Sequence, residues 1–194
     1  MLLEKAWAKL HGSYCMIRAG SPSMVFPHLT GAPTLRVDHN ILRDTNRFWD
    51  EIKDSDKRHH MITACSYERD TLQTVDSEKK MYVSSHAYAV ISVHEITRKG
   101  KKVKLLKLRD PHGQREWTGD WSDCSELWDE KTRAEVGAVV ADDGVFFIDY
   151  DNYIKHFRTT TICFDAGEET VPYRTSMLDY DFGESEVEAQ MACF

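Results

Sequence analysis

The sequence predicts an α+β fold in one domain, and three observations predict it. From Ser84 to Gly119, two β-type runs, His86 to Thr97 and Lys102 to Leu108, flank a short basic stretch containing Gly100, the pattern of an antiparallel hairpin. Other strand-like runs are separated by segments with apolar residues at helical spacing and capping residues in front of them, so helices are expected beside a sheet. The chain has 194 residues, 41% of them hydrophobic and five of them Trp, enough to bury a sizeable core.

Leu3, Trp7 and Leu10 are spaced to share one face of an opening helix, which Gly12 is placed to end. Between Ala19 and Asn40 the AGSPS and TGAP clusters leave no sustained apolar period, so this segment reads as loop with short extended pieces. Asp44 or Thr45 caps a helix through about Asp56, with Phe48, Trp49 and Ile52 as its apolar face. His59 and His60 follow. Neighbours at a strand start point to opposite faces, so they make a poor metal pair and are read as solvent-facing. Met61 to Ser66 is a strand and Tyr67 to Lys80 a polar loop. Beyond the hairpin, Ser125 is placed to cap a helix over Leu127 to Val136, and a strand runs from Gly144 to Ile148. Asp149 or Asp151 caps a short helix around Tyr150 to Phe157, whose Tyr153, Ile154 and Phe157 face the core, and strand Thr160 to Phe164 closes the domain. Residues 165–194 are acidic and weakly patterned and read as a surface linker.

In a hairpin centred near Lys99 and Gly100, residues whose numbers sum to about 199 face each other. His86 and Asp110 then sit at the same open end, within about three positions of direct opposition and able to touch. A His beside a carboxylate is the orienting half of a nucleophilic site. The second group fixes the imidazole's tautomer and supports its charged form, while the imidazole takes the nucleophile's proton. The competing account of a His at a strand start is a satisfied structural histidine.

Composition excludes several classes. A net charge of −7 argues against a general nucleic-acid binder, which needs a basic surface to neutralise phosphates. The RKGKK run is the basic cluster of the chain, and a solvated hairpin tip accounts for it. No apolar run approaches the ~20 residues of a membrane span, and no charged-then-apolar leader precedes a cleavage site, so a cytoplasmic protein is expected. Five cysteines, Cys15, Cys65, Cys124, Cys163 and Cys193, are scattered without CxxC spacing, as free thiols in a reducing compartment would be. Each reads as a buried small apolar residue rather than a nucleophile.

The motifs LLEKAWAKLHGSY, HAYAV, LRDPHG, EWTGDWSD and DDGVFFIDYDNYIKHFRTTTICF occur in order across most of the chain. Together they resemble the second half of the calpain protease core, a papain-like cysteine protease. The resemblance implies a papain-like half-core, a strongly bent, partly barrel-like antiparallel sheet with peripheral helices. It implies that residues 1–15 are the closing helix of the preceding half, 16–164 the subdomain carrying the His, and 165–194 a linker towards a β-sandwich, with both termini as cuts through a longer protein.

In that family the His of HAY is the catalytic base and an Asn its orienting partner; the matching positions are His86 and Asp110, with Ser85 adjoining the site. The family's Asn is Asp here, and a Trp that covers the catalytic pair is matched by His112. An Asp can bond the imidazole as an Asn does, whereas the smaller, more polar His112 is expected to let solvent reach the pair. The catalytic Cys lies upstream in the family and none of these cysteines matches it, so the chain alone is expected not to cleave peptides. The family's calcium ligands match Glu116, Asp123, Asp143 and the Ala141 carbonyl, with Val145 where a further carboxylate stands, so calcium enters as a candidate cofactor. The simpler account is a turn at Asp-Asp-Gly and surface charges at Glu116 and Asp123. Three readings follow: a piece of a calpain-type endopeptidase acting on protein substrates once a Cys-bearing half is supplied by the parent chain; a degenerate calpain-like structural or interaction module with a protein partner, for instance on the cytoskeleton; or a calcium-responsive binding module.

Overall fold

The computed structural model describes residues 2–67, 86–113 and 116–165. Most of the polar loop read before the hairpin, Ser85, Cys193 and the acidic linker beyond Asp165 lie outside the described residues. The elements run α1 (Leu2–Leu10), α2 (Pro22–Thr30), β1 (Thr34–Asp38), α3 (Thr45–Lys57), β2 (Met61–Ser66), β3 (Ala87–Arg98), β4 (Lys101–Arg109), α4 (Glu130–Val136), β5 (Val145–Asp149), α5 (Tyr150–His156) and β6 (Phe157–Cys163). The strands form one six-stranded antiparallel sheet in the order β1-β6-β2-β3-β4-β5. It is an open sheet with β1 and β5 at its edges, not a closed barrel, so the α+β expectation holds.

The hairpin of β3 and β4 is the longest pairing and turns through Lys99 and Gly100, both at positive φ (48° and 76°), as a two-residue primed turn requires. Pairs from Arg98↔Lys101 to Ser92↔Lys107 sum to 199, as expected. Beyond them the register slips by one, to Val90↔Leu108 and Ala89↔Arg109, because Ile91 is a bulge. The slip changes which residues face which side. Tyr88 and Val90 lie against the larger core, and so does Val93 across the bulge, while Ile96 belongs to the smaller one.

The larger core joins Leu35, Val37, Ile62 and Ile162 to Phe48, Trp49 and Ile52 of α3 and Tyr150 and Tyr153 of α5. The smaller packs Trp121, Trp128 and Val136 against Leu105, Phe147 and Ile96. β4 serves both, with Leu105 to one side and Leu106 and Leu108 to the other. Within the larger core, His39 is buried with Nδ1 2.7 Å from the Phe157 carbonyl and Nε2 2.8 Å from Thr160 Oγ1. A carbonyl only accepts, so Nδ1 carries the proton; burial lowers the pKa to about 4, keeping the ring neutral, so Nε2 accepts from Thr160. Thr160 in turn accepts from the Tyr153 hydroxyl, 2.5 Å away.

Four expectations need correction. The segment read as loop from Ala19 to Asn40 contains α2 as well as β1. Pro22 takes the first helical turn, where no N–H is needed, and Pro27 lies inside, so the carbonyl of Ser23 that Pro27 cannot serve accepts from the Thr34 hydroxyl instead (3.2 Å). α4 starts at Glu130, later than expected, because Asp129 rather than Ser125 caps it in a reciprocal box with Thr132. β6 begins at Phe157, three residues early, since α5 runs straight into the strand. His60 is half-buried with its ring edge-on to Phe164 at 5.3 Å; only His59 faces solvent. The caps of α3 (Asp44) and α5 (Asp149) and the span of β2 are as read from sequence. On α1, Leu3 and Leu10 are exposed and Ala8 is buried. Among the described residues no helix is long and apolar enough to cross a membrane.

Candidate functional site

The open end of the hairpin brings His86 and Asp110 together through backbone bonds to neighbouring strands. His86 precedes β3, and both its main-chain groups meet Ser66 at the end of β2: its carbonyl accepts from the Ser66 amide (2.9 Å) and its amide donates to Ser66 Oγ (3.1 Å). Asp110 follows β4, and its amide donates to the Gly144 carbonyl at 2.8 Å. The turn after it is closed by the Gly113 amide on the Asp110 carbonyl (2.9 Å).

So held, His86 Nε2 donates to Asp110 Oδ1 at 2.7 Å. The same oxygen accepts the His112 amide at 2.9 Å. With Nε2 carrying the proton, Nδ1 is the nitrogen left to act as a base. Tyr88 meets the ring edge-on at 4.7 Å, and the His112 ring stacks on it at 5.1 Å and 22°. His86 is 7% exposed and Asp110 0%. The expectation that His112 leaves the pair open to solvent is therefore wrong: the stacked imidazole and the turn of residues 110–113 cover it.

Gly144, read from the sequence only as part of an Asp-Asp-Gly turn or metal loop, lies against the Asp110 turn. Its φ is +78°, and a Cβ there would lie 2.6 Å from Gly113 Cα and 3.2 Å from the Asp110 carbonyl oxygen, so the Asp110 turn rests directly on it. The Gly of PHG and the Gly of DDG are the sequence signal for that contact, legible only once the two loops are known to meet.

The carboxylates read as calcium ligands gather around the same loop, but each is engaged by main-chain donors. Glu116 Oε1 accepts the amides of Asp143 (3.0 Å) and Gly144 (2.8 Å). Asp123 Oδ2 accepts the Ala141 amide at 3.0 Å, and Asp143 Oδ1 the Val145 amide at 2.9 Å. Burial pushes the Glu116 and Asp123 carboxyls above their ordinary values, with neighbouring carboxylates adding to the effect and these amides opposing it. Lys107 and Arg109 line the same cavity of about 250 Å³ as Asp123, Asp143 and Val145. Among the described residues no three acidic, His or Cys side chains converge as a metal centre. The amide bonds take one oxygen of each carboxylate, Oε1 of Glu116, Oδ2 of Asp123 and Oδ1 of Asp143, so a calcium ion would be held by the other oxygens of this set and the Ala141 carbonyl.

Cys163 is buried and Cys65 half-buried, and burial pushes both thiols up, away from thiolate character. Cys15 and Cys124 are exposed, contrary to the expectation that each cysteine is buried.

The family model described as calpain family cysteine protease matches residues 1–164. Calpain-9 of Rattus norvegicus is 34% identical over 169 residues, covering 84% of this chain and 24% of the rat protein. Calpain-12 of Mus musculus is 32% identical over 165 residues (84% of this chain, 22% of its own length), and calpain-A of Drosophila melanogaster 32% over 171 residues (84% and 20%). The chain thus spans about a quarter of the length of the curated relatives it matches.

Proposed function

Because this chain belongs to the calpain family of cysteine proteases, we propose that it is the His-bearing half of a calpain-type core, with His86 as general base and Asp110 as its orienting partner. The observation that carries this reading is the buried 2.7 Å bond from His86 Nε2 to Asp110 Oδ1 under the stacked ring of His112. In a core completed by a Cys-bearing half of the parent chain, His86 Nδ1 removes the thiol proton. The thiolate sulfur then attacks the scissile carbonyl carbon, and the imidazolium delivers the proton to the departing amine nitrogen. Asp110 keeps the ring in the tautomer that leaves Nδ1 bare, as the amide of an Asn does. Protein substrates and a cytoplasmic setting go with this reading. No step depends on calcium.

The chain by itself is inactive in this account, since Cys65 and Cys163 have thiols raised by burial and none of the cysteines matches the family's nucleophile. The test is labelling of the full-length parent by a vinyl-sulfone warhead together with hydrolysis of an unfolded protein substrate. Both are expected in the parent, absent in this chain, and lost on His86→Ala. Asp110→Asn is expected to retain labelling.

A second reading, a degenerate module that binds a protein partner, is favoured by Asp110 and His112 standing where the family resemblance has Asn and Trp. A parent that resists the warhead and regains labelling in the Asp110→Asn, His112→Trp double variant supports it.

A further inference from the structure

We propose that Glu116 is a positioning residue for the His86 and Asp110 pair, acting as a hydrogen-bond clamp on Gly144 rather than as a metal ligand. The inference rests on the reading of that pair as base and orienting group, and it concerns how the pair is held.

The links are continuous. Glu116 Oε1 accepts the amides of Asp143 and Gly144 at 3.0 and 2.8 Å, which fixes the loop leading into β5. On the other side of the same residue, the Gly144 carbonyl accepts the Asp110 amide at 2.8 Å. Gly144 at +78° is the floor on which Gly113 and the Asp110 carbonyl rest, with no room for a Cβ. Asp110 Oδ1 then receives His86 Nε2 at 2.7 Å. Glu116 is therefore separated from the imidazole by one glycine and one carboxylate, and each connection is a hydrogen bond of ordinary length.

A single carboxylate oxygen with two amides on it makes charge-assisted bonds, stronger than neutral ones. Without it the two amides turn to water or to a new acceptor, the 143–144 loop shifts, and the carbonyl that places Asp110 shifts with it. The tolerance at the other end is small, because a buried His to carboxylate bond weakens steeply with distance and angle. A cation is not needed for this function: the amides of Asp143 and Gly144 are held by Oε1 alone, and Val145 stands where a further carboxylate would be.

The experiment is ¹⁵N-imidazole NMR of the 194-residue chain, following the His86 Nε2–H that Asp110 holds, with the His39 Nδ1–H, buried in the larger core, as a reference for intact folding. Glu116→Ala is expected to abolish or move the His86 signal and leave that of His39 in place. Glu116→Gln, which keeps an oxygen able to accept both amides but carries no charge, is expected to preserve the His86 signal. Millimolar calcium or a chelator is expected to change neither. An unmoved His86 signal in Glu116→Ala overturns the proposal. So does loss of both His signals together, which marks a general structural role, and so does calcium-dependent appearance of the His86 signal. Because the readout is the geometry of the pair, it is independent of whether the parent has a nucleophile. Failure of the protease reading shows in warhead labelling, failure of the clamp in the spectrum.

Discussion

His39 is the clearest case of a single side chain whose charge state the fold dictates. Its Nδ1–H is spent on the Phe157 carbonyl and its Nε2 on the Thr160 hydroxyl, and desolvation lowers its pKa from 6.5 to about 4. The folded protein thus binds this proton less readily than the unfolded chain. Its contribution to stability is complete above pH 6.5, falls as pH drops through the interval down to about 4, and is gone below it. The loss is about 3 kcal/mol across that interval. Chemical denaturation at a series of pH values should show this slope in the wild type and not in His39→Gln; parallel pH profiles for the two proteins would contradict it. By contrast, the functional candidates His86 and Asp110 were readable from the sequence, because a hairpin's register is arithmetic once its turn is located. The cover supplied by His112 was not readable: residue type says that an imidazole is smaller than an indole, and only the fold says that it stacks.

At the level of elements, the segments legible in the sequence were those whose ends carry side-chain caps or a tight turn. Asp44 and Asp149 begin α3 and α5, and Lys99 and Gly100 turn the hairpin. α2 was hidden because its prolines are locally consistent with a loop, and the Ser23 carbonyl that its interior Pro leaves unserved is satisfied by Thr34, on a different element. The Asp110 turn and the loop before β5 were legible one at a time as turns, but their contact through Gly113 and Gly144 is tertiary. It is also the most exacting contact near the site. Gly144→Ala meets both a left-handed backbone and a Cβ 2.6 Å from Gly113 Cα. We expect a destabilisation of roughly 1–3 kcal/mol by thermal or denaturant melting. Gly137→Ala, also at positive φ but with open space around it, should cost less, since only the backbone term applies. Equal losses at the two positions would show that the Gly113 contact carries no weight.

For the molecule as a whole, the shared strand β4 makes the two hydrophobic clusters one cooperative unit. Leu105 is fully buried on the side of Trp121 and Trp128, and Leu106 fully buried on the side of Trp49 and Tyr150. Leu105→Ala and Leu106→Ala should each remove about 2–5 kcal/mol, and each should lower one common unfolding midpoint rather than split it in two. Coincident near-ultraviolet and far-ultraviolet transitions in both variants would verify this; a variant that melts in two steps would mean that the clusters unfold separately. The bulge at Ile91 has a consequence for this two-sided sheet. Strands have parity: odd and even positions look to opposite sides, and one additional residue exchanges them for everything upstream. Tyr88 and Val90 share a side with Val93, an odd number of residues from Val90, only because Ile91 is left out of the pairing. Deleting that one exposed residue would close the bulge and leave Val90 next to Ser92, so plain alternation would keep the imidazole where it is, whereas drawing Ile91 into the pairing as a regular position would present the imidazole to the Trp121 and Trp128 side of the sheet, away from Asp110. The address of the candidate base is thus written in the pairing of the strand, and a slip of one in that register carries the histidine away from Asp110.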